Sequence, residues 1–284
     1  MSDEPVGLLA GAGRFPIAFA EKARAVGRPV VCVGMRGAAD PGLAGIVHRF
    51  HWAGPVQMGR MIRLFKREGV RRLVMAGKVQ KANLMHRPWR IFTLLPDLRT
   101  LRWWFGRRRR DNRDDSILLS LIAEFARDGL HFDSALDLSP ELLVSPGVLT
   151  RRRPTAAEEA DIAFGWELAR EMGRLDVGQS VAVKERAVLA VEAIEGTDRA
   201  IRRAGELCRA GGFTVVKVAK PHQDMRFDVP TVGRDTVETL RAAGGRVLAV
   251  EAGKTILLDL SETVALADRC GLTIVALTSA PAGA

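Results

Sequence analysis

Short apolar strands alternate with amphipathic helices along most of this 284-residue chain, and no other feature constrains its fold as much. Residues 6–10 are an apolar run of strand length. Gly11-Ala12-Gly13 then marks a tight turn, and Pro16 suits the first turn of a helix. That helix is predicted to run to about Val26 and to stop at Gly27. A second strand over residues 29–33, an amphipathic helix over 56–67 ended by Gly69, and a third strand over 72–76 follow. This rhythm predicts a parallel sheet with helices on both faces.

Strands and helices go on alternating with different punctuation, without an internal repeat. Residues 116–127 are helical, preceded by Asp111, Asp114 and Asp115, where acids suit a helix start. Residues 145–154 are rich in Pro and Arg and read as a linker. A helix over 155–174 opens with Thr155 and Glu158 at capping-box spacing. A hairpin is predicted around Lys184-Glu185-Arg186, between strands 180–183 and 187–192. A helix to about residue 209, a strand over 213–218, a helix over 236–243, strands over 246–250 and 255–258, a helix over 261–270 and a strand over 272–277 complete the chain. The fold class is α/β, with two α/β domains. A Rossmann-like parallel sheet is expected over residues 1–135 and a mixed-sheet α/β domain over 175–284. Residues 136–174 are expected to form a linker and connecting helix, with a cleft between the domains.

A net charge of +10 points to an anionic partner: nucleic acid, an acidic membrane surface or a phosphorylated substrate. Cys32, Cys208 and Cys270 are far apart and outside any metal-ligand spacing, so they read as thiols in a reducing cytosol. No apolar run is long enough to cross a bilayer. The first residues, Met-Ser-Asp-Glu-Pro, lack the charged start and apolar stretch of a signal peptide. The sequence contains no nucleophile elbow for a serine triad, no P-loop and no paired-histidine metal motif. His48 and His51 have no carboxylate or cysteine partner near them in sequence and read as surface or packing residues.

Chemistry concentrates in residues 217–233, Lys-Val-Ala-Lys-Pro-His-Gln-Asp-Met-Arg-Phe-Asp-Val-Pro-Thr-Val-Gly. Pro221 stops the preceding strand, because proline has no N–H for a sheet ladder. His222, Asp224, Arg226 and Asp228 then fall at alternate positions, which an extended chain would place on one face. A solvated charged edge is the competing reading. Two glycine turns follow strands, Gly11-Ala12-Gly13 and Gly77-Lys78 with Gln80 close behind. The first would leave N–H groups and a helix N-terminus facing outward for phosphate, or be a plain turn. The second belongs at the carboxyl edge of the same sheet, where open α/β folds bind ligands. In residues 191–198, Glu192, Glu195, Gly196, Thr197 and Asp198 cluster at a helix start. They complement the helix dipole or, in the sharper reading, contact a phosphate and help hold Mg²⁺. Residues 85–113 alternate Trp, Phe and Leu with arginines and end in Arg107 to Arg110. This suits stacking on nucleic acid, a packed basic helix or, in the absence of any nucleic-acid module, anionic lipid.

Residues 9–13 with Pro16, 189–198, 220–233 and 249–253 together resemble LpxI-type UDP-2,3-diacylglucosamine pyrophosphatases, and the similarity runs over nearly the whole length. The resemblance implies a cytoplasmic, membrane-associated step of lipid A synthesis in Gram-negative bacteria. UDP-2,3-diacylglucosamine and water would give 2,3-diacylglucosamine 1-phosphate (lipid X) and UMP, with Mg²⁺ or another divalent metal. It implies two domains holding the lipid substrate between them, and it makes Asp224, the acid of the family's Gln-Asp-x-Arg pattern, essential for turnover. On this reading Gly11, Ala12, Gly13, Gly77, Lys78, Gln80, Gly196, Thr197, Lys217, Lys220, Gln223 and Arg226 bind substrate, and Asp224, Asp228 and Glu192 are the metal-ligand candidates. The expected partners are the substrate and the inner-membrane lipid surface, not nucleic acid, and a homodimer is left open. Two rivals stay open on the residues alone. One is a nicotinamide-dependent oxidoreductase, weakened by Pro16 where the fingerprint wants a third glycine, and with Asp40 placed after the second strand. The other is a non-catalytic nucleic-acid-binding protein, which leaves the Asp224 region without a role.

Overall fold

Val6–Ala10 forms β1, and all five of its residues are buried, as a central parallel strand covered on both faces requires. The structure is a computed structural model that describes residues 4–78, 95–106, 114–221, 223–226 and 229–281. β2 (Val30–Met35), β3 (Arg49–Ala53), β4 (Arg72–Ala76) and β5 (His131–Asp133) complete a five-stranded sheet in the order β3-β2-β1-β4-β5. Every pairing in it is parallel. Successive residues of β1 serve opposite faces. Leu8 and Ala10 join Phe19, Ala20 and Ala23 of α1 (Phe15–Ala25), whereas Leu9 joins Met58, Met61, Ile62 and Phe65 of α2 (Met58–Arg67). α3 (Leu98–Gly106) and α4 (Asp114–Ala126) lie on the α2 side, with Phe125 in the same core. Cys32 is buried in the α1 core, and that burial pushes its thiol up to about 12, so it is an inert packing residue.

β3 escaped the sequence reading because it is the sheet's edge. Its residues alternate Arg49 and His51 with Phe50 and Trp52, and only Ala53 is buried. His51 also gains a carboxylate partner that sequence distance concealed: its Nε2 lies 2.9 Å from Glu68 Oε1.

The chain divides after Pro140 into a second unit with its own sheet. Its strands are β6 (Gly147–Val148), β7 (Ser180–Lys184), β8 (Ala187–Val191), β9 (Thr214–Lys217), β11 (Val247–Glu251) and β13 (Thr273–Leu277), in the order β6-β13-β11-β9-β7-β8. β9, β11 and β13 run parallel, and the flanking strands are antiparallel. β10 (Thr231–Val232) and β12 (Ile256–Leu257) form a separate short parallel pair. α5 (Ala156–Arg174) covers one face through Ile162, Trp166, Ala169 and Met172. α6 (Thr197–Leu207), α7 (Arg234–Ala242) and α8 (Leu260–Arg269) cover the other through Ile201, Leu240 and Ala267.

Two segments read as connection therefore belong to this unit. Residues 147–148 pair with β13, and the helix assigned to the link between domains is the cover of the second sheet. The capping box at its start is present as read, with Thr155 Oγ1 accepting from Glu158 N and Glu158 Oε2 accepting from Thr155 N.

The hairpin also forms as read. Glu185 and Arg186 both take left-handed φ values, 52° and 59°, as a two-residue turn between twisted strands demands. Neither residue favours that conformation, and the carboxylate of Asp161 on α5 holds the turn. Its Oδ2 accepts from Glu185 N at 3.0 Å and its Oδ1 from Arg186 N at 2.6 Å. Asp161→Ala is expected to destabilise the second unit by about 1–2 kcal/mol, because both N–H groups revert to water and the strained turn loses its clamp. Adding Arg186→Gly should recover part of that loss in a urea titration.

Candidate active site

β9 reads Thr-Val-Val-Lys, and the strand carries its terminal Lys217 into the interior, where the residue is only 5% exposed. A buried ammonium needs partners. Lys217 Nζ donates to Thr197 Oγ1 at 2.9 Å and to the carbonyl of Thr231 at 3.3 Å. Thr197, the first residue of α6, in turn donates a hydrogen bond from its hydroxyl to Glu192 Oε1 at 2.9 Å. Gly196 opens that helix with φ 85° and no side-chain cap, and Ser180 Oγ lies 3.5 Å from the same Thr197 hydroxyl. One hydroxyl thus links a buried cation to a buried anion drawn from three separate elements.

Glu192 Oε2 is buried and has no hydrogen-bond partner among the described residues. A carboxylate oxygen in that state fits a divalent cation, which needs only one or two protein carboxylates beside substrate phosphate oxygens and water. Glu195, its sequence neighbour, is already engaged: it accepts from Ala193 N and pairs with Arg203 at 2.6 Å.

The loop leaving β9 is fixed at its root. Glu251, at the end of β11 and 2% exposed, accepts from Ala219 N through Oε2 at 2.9 Å and pairs with Lys254 through Oε1 at 2.8 Å. Gln223 Oε1 accepts from Lys220 N, and Lys220 Nζ pairs with Asp176 at 2.6 Å. The next residues turn instead of extending. Asp224 Oδ1 accepts from both the backbone N and the Nε of Arg226, at 3.1 and 2.9 Å, and Asp224 Oδ2 accepts from Arg226 Nη2 at 2.5 Å. The alternating face expected from an extended chain is therefore replaced here by an Asx-type turn, which brings Asp224 and Arg226 together from i and i+2. The Arg226 guanidinium holds the Asp224 carboxyl below its ordinary value. Partial burial opposes this, and the Arg226 backbone N–H reinforces it. Asp224 is thus a half-buried, firmly ionised carboxylate. His222 and Asp228 lie outside the described residues, as does Gln80.

In the first unit, the sheet order places β1 beside β2 on one side and β4 on the other, so the strand order reverses between β1 and β4. The Gly11-Ala12-Gly13 and Gly77-Lys78 turns meet at the carboxyl ends of those two strands, the switch point where such sheets take ligands. Their backbones pair: Ala12 N donates to Lys78 O and Lys78 N to Ala12 O, both at 2.8 Å, and Gly11 N donates to Ala76 O. The expectation of outward-facing N–H groups is therefore corrected at Gly11 and Ala12, whose N–H groups bond the carbonyls of Ala76 and Lys78 at the end of β4. The glycines answer to the same contact. A Cβ on Gly11 would sit 2.7 Å from Lys78 O, and one on Gly77, at φ 91°, would sit 2.7 Å from Ala12 O. Asp40, the acid placed for a ribose, instead caps a 3₁₀ turn by accepting from Gly42 N at 2.7 Å.

Two family models match most of the chain: the LpxI N-terminal domain over residues 5–142 and the LpxI C-terminal domain over residues 145–275. The UDP-2,3-diacylglucosamine pyrophosphatase LpxI of Caulobacter vibrioides is 32% identical over 280 residues, covering 95% of this chain and 96% of that protein. The chain belongs to the LpxI family. The junction between the two LpxI models falls where the structure itself divides, just after Pro140. The biotin carboxylase subunit of pyruvate carboxylase shares 10% identity at a TM-score of 0.28. The match covers 74% of this chain but only 42% of that one, and carries no argument.

Within this LpxI chain the sequence reading missed the groups that hold the site residues. Asp176 anchors Lys220, Thr231 supplies a carbonyl to Lys217, and Glu251 pins the loop root. Of these, Glu251 carried a signal: an acid closing an otherwise wholly apolar strand must be buried for a reason.

Proposed function

We propose that this chain hydrolyses the pyrophosphate bond of UDP-2,3-diacylglucosamine, giving 2,3-diacylglucosamine 1-phosphate and UMP in lipid A synthesis. The observation that carries the reading is the co-linear likeness, over 95% of the chain, to a pyrophosphatase of that name. The loop leaving β9 supplies groups suited to the reaction.

A pyrophosphate resists water because its charge repels an incoming nucleophile, so the site must offset that charge and place the water. Asp224, kept ionised by Arg226, can accept a hydrogen bond from water and orient it. Arg226, 46% exposed along its side chain, can turn from the carboxylate to a phosphate oxygen without desolvating a new cation. Lys217 adds a fixed positive charge, and the Gln223 amide nitrogen, which has no hydrogen-bond partner among the described residues, offers a hydrogen bond. Lys220, braced by Asp176, faces the same role. At the switch point of the first unit, Gly11, Ala12, Gly13 and Gly77 present a surface without bulky side chains to part of the UDP-sugar, with the exposed Lys78 as its cation. Mg²⁺ or another divalent cation, held by the Asp224 and Glu192 carboxylates, would neutralise pyrophosphate charge when bound. The anhydride P–O bond breaks, and the elements of water are divided between the two phosphate products.

We further infer that the protein works as a peripheral component of the cytoplasmic face of the inner membrane, since its substrate carries two acyl chains. Among the described residues no helix is long and apolar enough to cross a membrane. Incubation of the purified protein with UDP-2,3-diacylglucosamine is expected to release UMP and lipid X in equal amounts, and EDTA to stop the release. Absence of UMP sinks the activity, and full activity in EDTA sinks the metal alone.

A further inference from the structure

α3 leaves apolar side chains in water on one face. Leu98, Arg102 and Phe105 recur at i, i+4 and i+7, and Leu98 and Phe105 are 75% and 70% exposed, with Leu95 just before the helix at 73%. Exposed apolar side chains grouped on one helical face mark a contact surface. The neighbouring helix is built the opposite way. α2 buries Met58, Met61, Ile62 and Phe65 and exposes Arg60, Arg63 and Arg67 at i, i+3 and i+7. A cavity of about 1110 Å³ joins the two helices to α4, and Arg63, Arg99, Arg102, Arg127, Leu98 and Trp103 are among the residues lining it.

The acids at this site are already committed. Glu124 is bound by Arg99 and Arg127, Asp128 by Arg99 and Lys66, and Asp97 accepts from the N–H groups of Thr100 and Arg60. Arg60, Arg63, Arg67 and Arg102 have no ion-pair or hydrogen-bond partner for their guanidinium groups among the described residues. The face therefore carries surplus positive charge around an apolar centre.

We propose that this cavity and the α2–α3 face around it are a docking site for anionic phospholipid, with headgroup phosphates taken by Arg63 and Arg102 and with Leu98 and Phe105 entering the acyl boundary. This rests on the peripheral-membrane reading above and gives it a location. Arginine stems can lie along the bilayer while their heads reach phosphate, and a basic stripe beside apolar side chains is the pattern that lies in a bilayer interface. Nucleic acid would engage the arginines and could stack a base on Phe105, but it gains nothing from burying Leu95 and Leu98, which offer no ring.

The test is sedimentation of the full chain with vesicles of phosphatidylcholine, alone or mixed with phosphatidylglycerol. The wild type should bind only the mixed vesicles, and added salt should release it. Arg63→Gln with Arg102→Gln should weaken binding by about 30-fold, from roughly 5-fold per basic residue at an anionic surface. Leu98→Ser with Phe105→Ser should weaken it by about tenfold or more. Both double variants should hydrolyse detergent-dispersed substrate at the wild-type rate. Equal binding of wild type and variants, no vesicle binding, tighter binding to duplex DNA, or lipid-free self-association abolished by the Leu98 and Phe105 changes would each overturn the proposal. Loss of hydrolysis with vesicle binding intact would count against the enzymatic reading and leave this one standing.

Discussion

Asp224→Asn is expected to lower kcat for UMP release by about 100- to 1000-fold while substrate affinity changes little. Asparagine keeps the shape of the side chain and can still accept from the Arg226 backbone, so the turn over residues 223–226 should persist. What disappears is the negative charge to which the proposed mechanism gives the orienting of water and a share in cation binding. Because Asp224 is only half-buried and the Arg226 side chain is 46% exposed, water screens their pairing, which adds little to stability, and the melting temperature should hardly move. The pH profile separates an acting carboxylate from an arginine anchor. With Arg226 in place the Asp224 carboxyl titrates below its ordinary value of 3.8, so the acid limb of kcat/KM should lie below the usual carboxylate range. Arg226→Met removes the chief cause of that depression, and the limb should move up in pH. If Asp224→Asn retained half of the wild-type rate, or if the acid limb stayed fixed in Arg226→Met, Asp224 would not be the group whose ionisation governs turnover.

The sequence made plain what neighbouring residues decide together. β1, the Glu185–Arg186 hairpin and the Thr155–Glu158 capping box all depend on residues within a few positions of one another, and each formed as read. Features set by distant pairing were hidden. β3 has no continuous apolar run because only one edge of it is paired, and β6 is two residues long and exists only because β13 passes beside it. The same division runs through the site. Glu192, Thr197 and Lys217 each drew notice as residue types, but their linkage through one hydroxyl needs β9, the start of α6 and the end of β8 brought together. Asp224 and Arg226 misled in the opposite direction. Their i, i+2 spacing suits a strand face, yet a carboxylate two residues ahead of an N–H can also close an Asx turn, and with Pro221 having ended the ladder nothing held the chain extended. Gly11 suggested a phosphate turn and Gly77 a ligand-binding sheet edge, and close backbone approach demands glycine at both whether the approaching group is a ligand or another strand end.

Arg152→Leu should destabilise the second unit by about 3 kcal/mol, although residue 152 lies in a stretch that looks like linker. Arg152 Nη2 donates to both carboxylate oxygens of Glu158, at 2.7 and 2.9 Å, and Nη1 donates to Thr273 Oγ1 at 2.7 Å, tying the approach to α5 onto β13. Leucine would leave the Glu158 side chain, 12% exposed, with its capping contacts and no cation. Arg152 is itself partly exposed, which puts the expected loss at the lower end of what breaking a buried pair costs. For a domain of this size it corresponds to roughly 6–12 °C in melting temperature. Acid should then distinguish the two proteins. Burial pushes the Glu158 carboxyl up, but Arg152 and the Thr155 N–H together outweigh it and hold it below its ordinary 4.5. The wild type therefore keeps this contribution above the unfolded value and loses it as pH falls through the folded one. Without Arg152 the burial effect has less to oppose it, so protonation of Glu158 relieves the variant where it harms the wild type. Melting curves taken from neutral pH down to about pH 3 should show the gap narrowing, and Glu158→Gln in the wild type should flatten this part of the pH response. A gap below about 1 kcal/mol, or one that stays constant across that range, would mean that Arg152 is spanning the surface and not neutralising a buried charge.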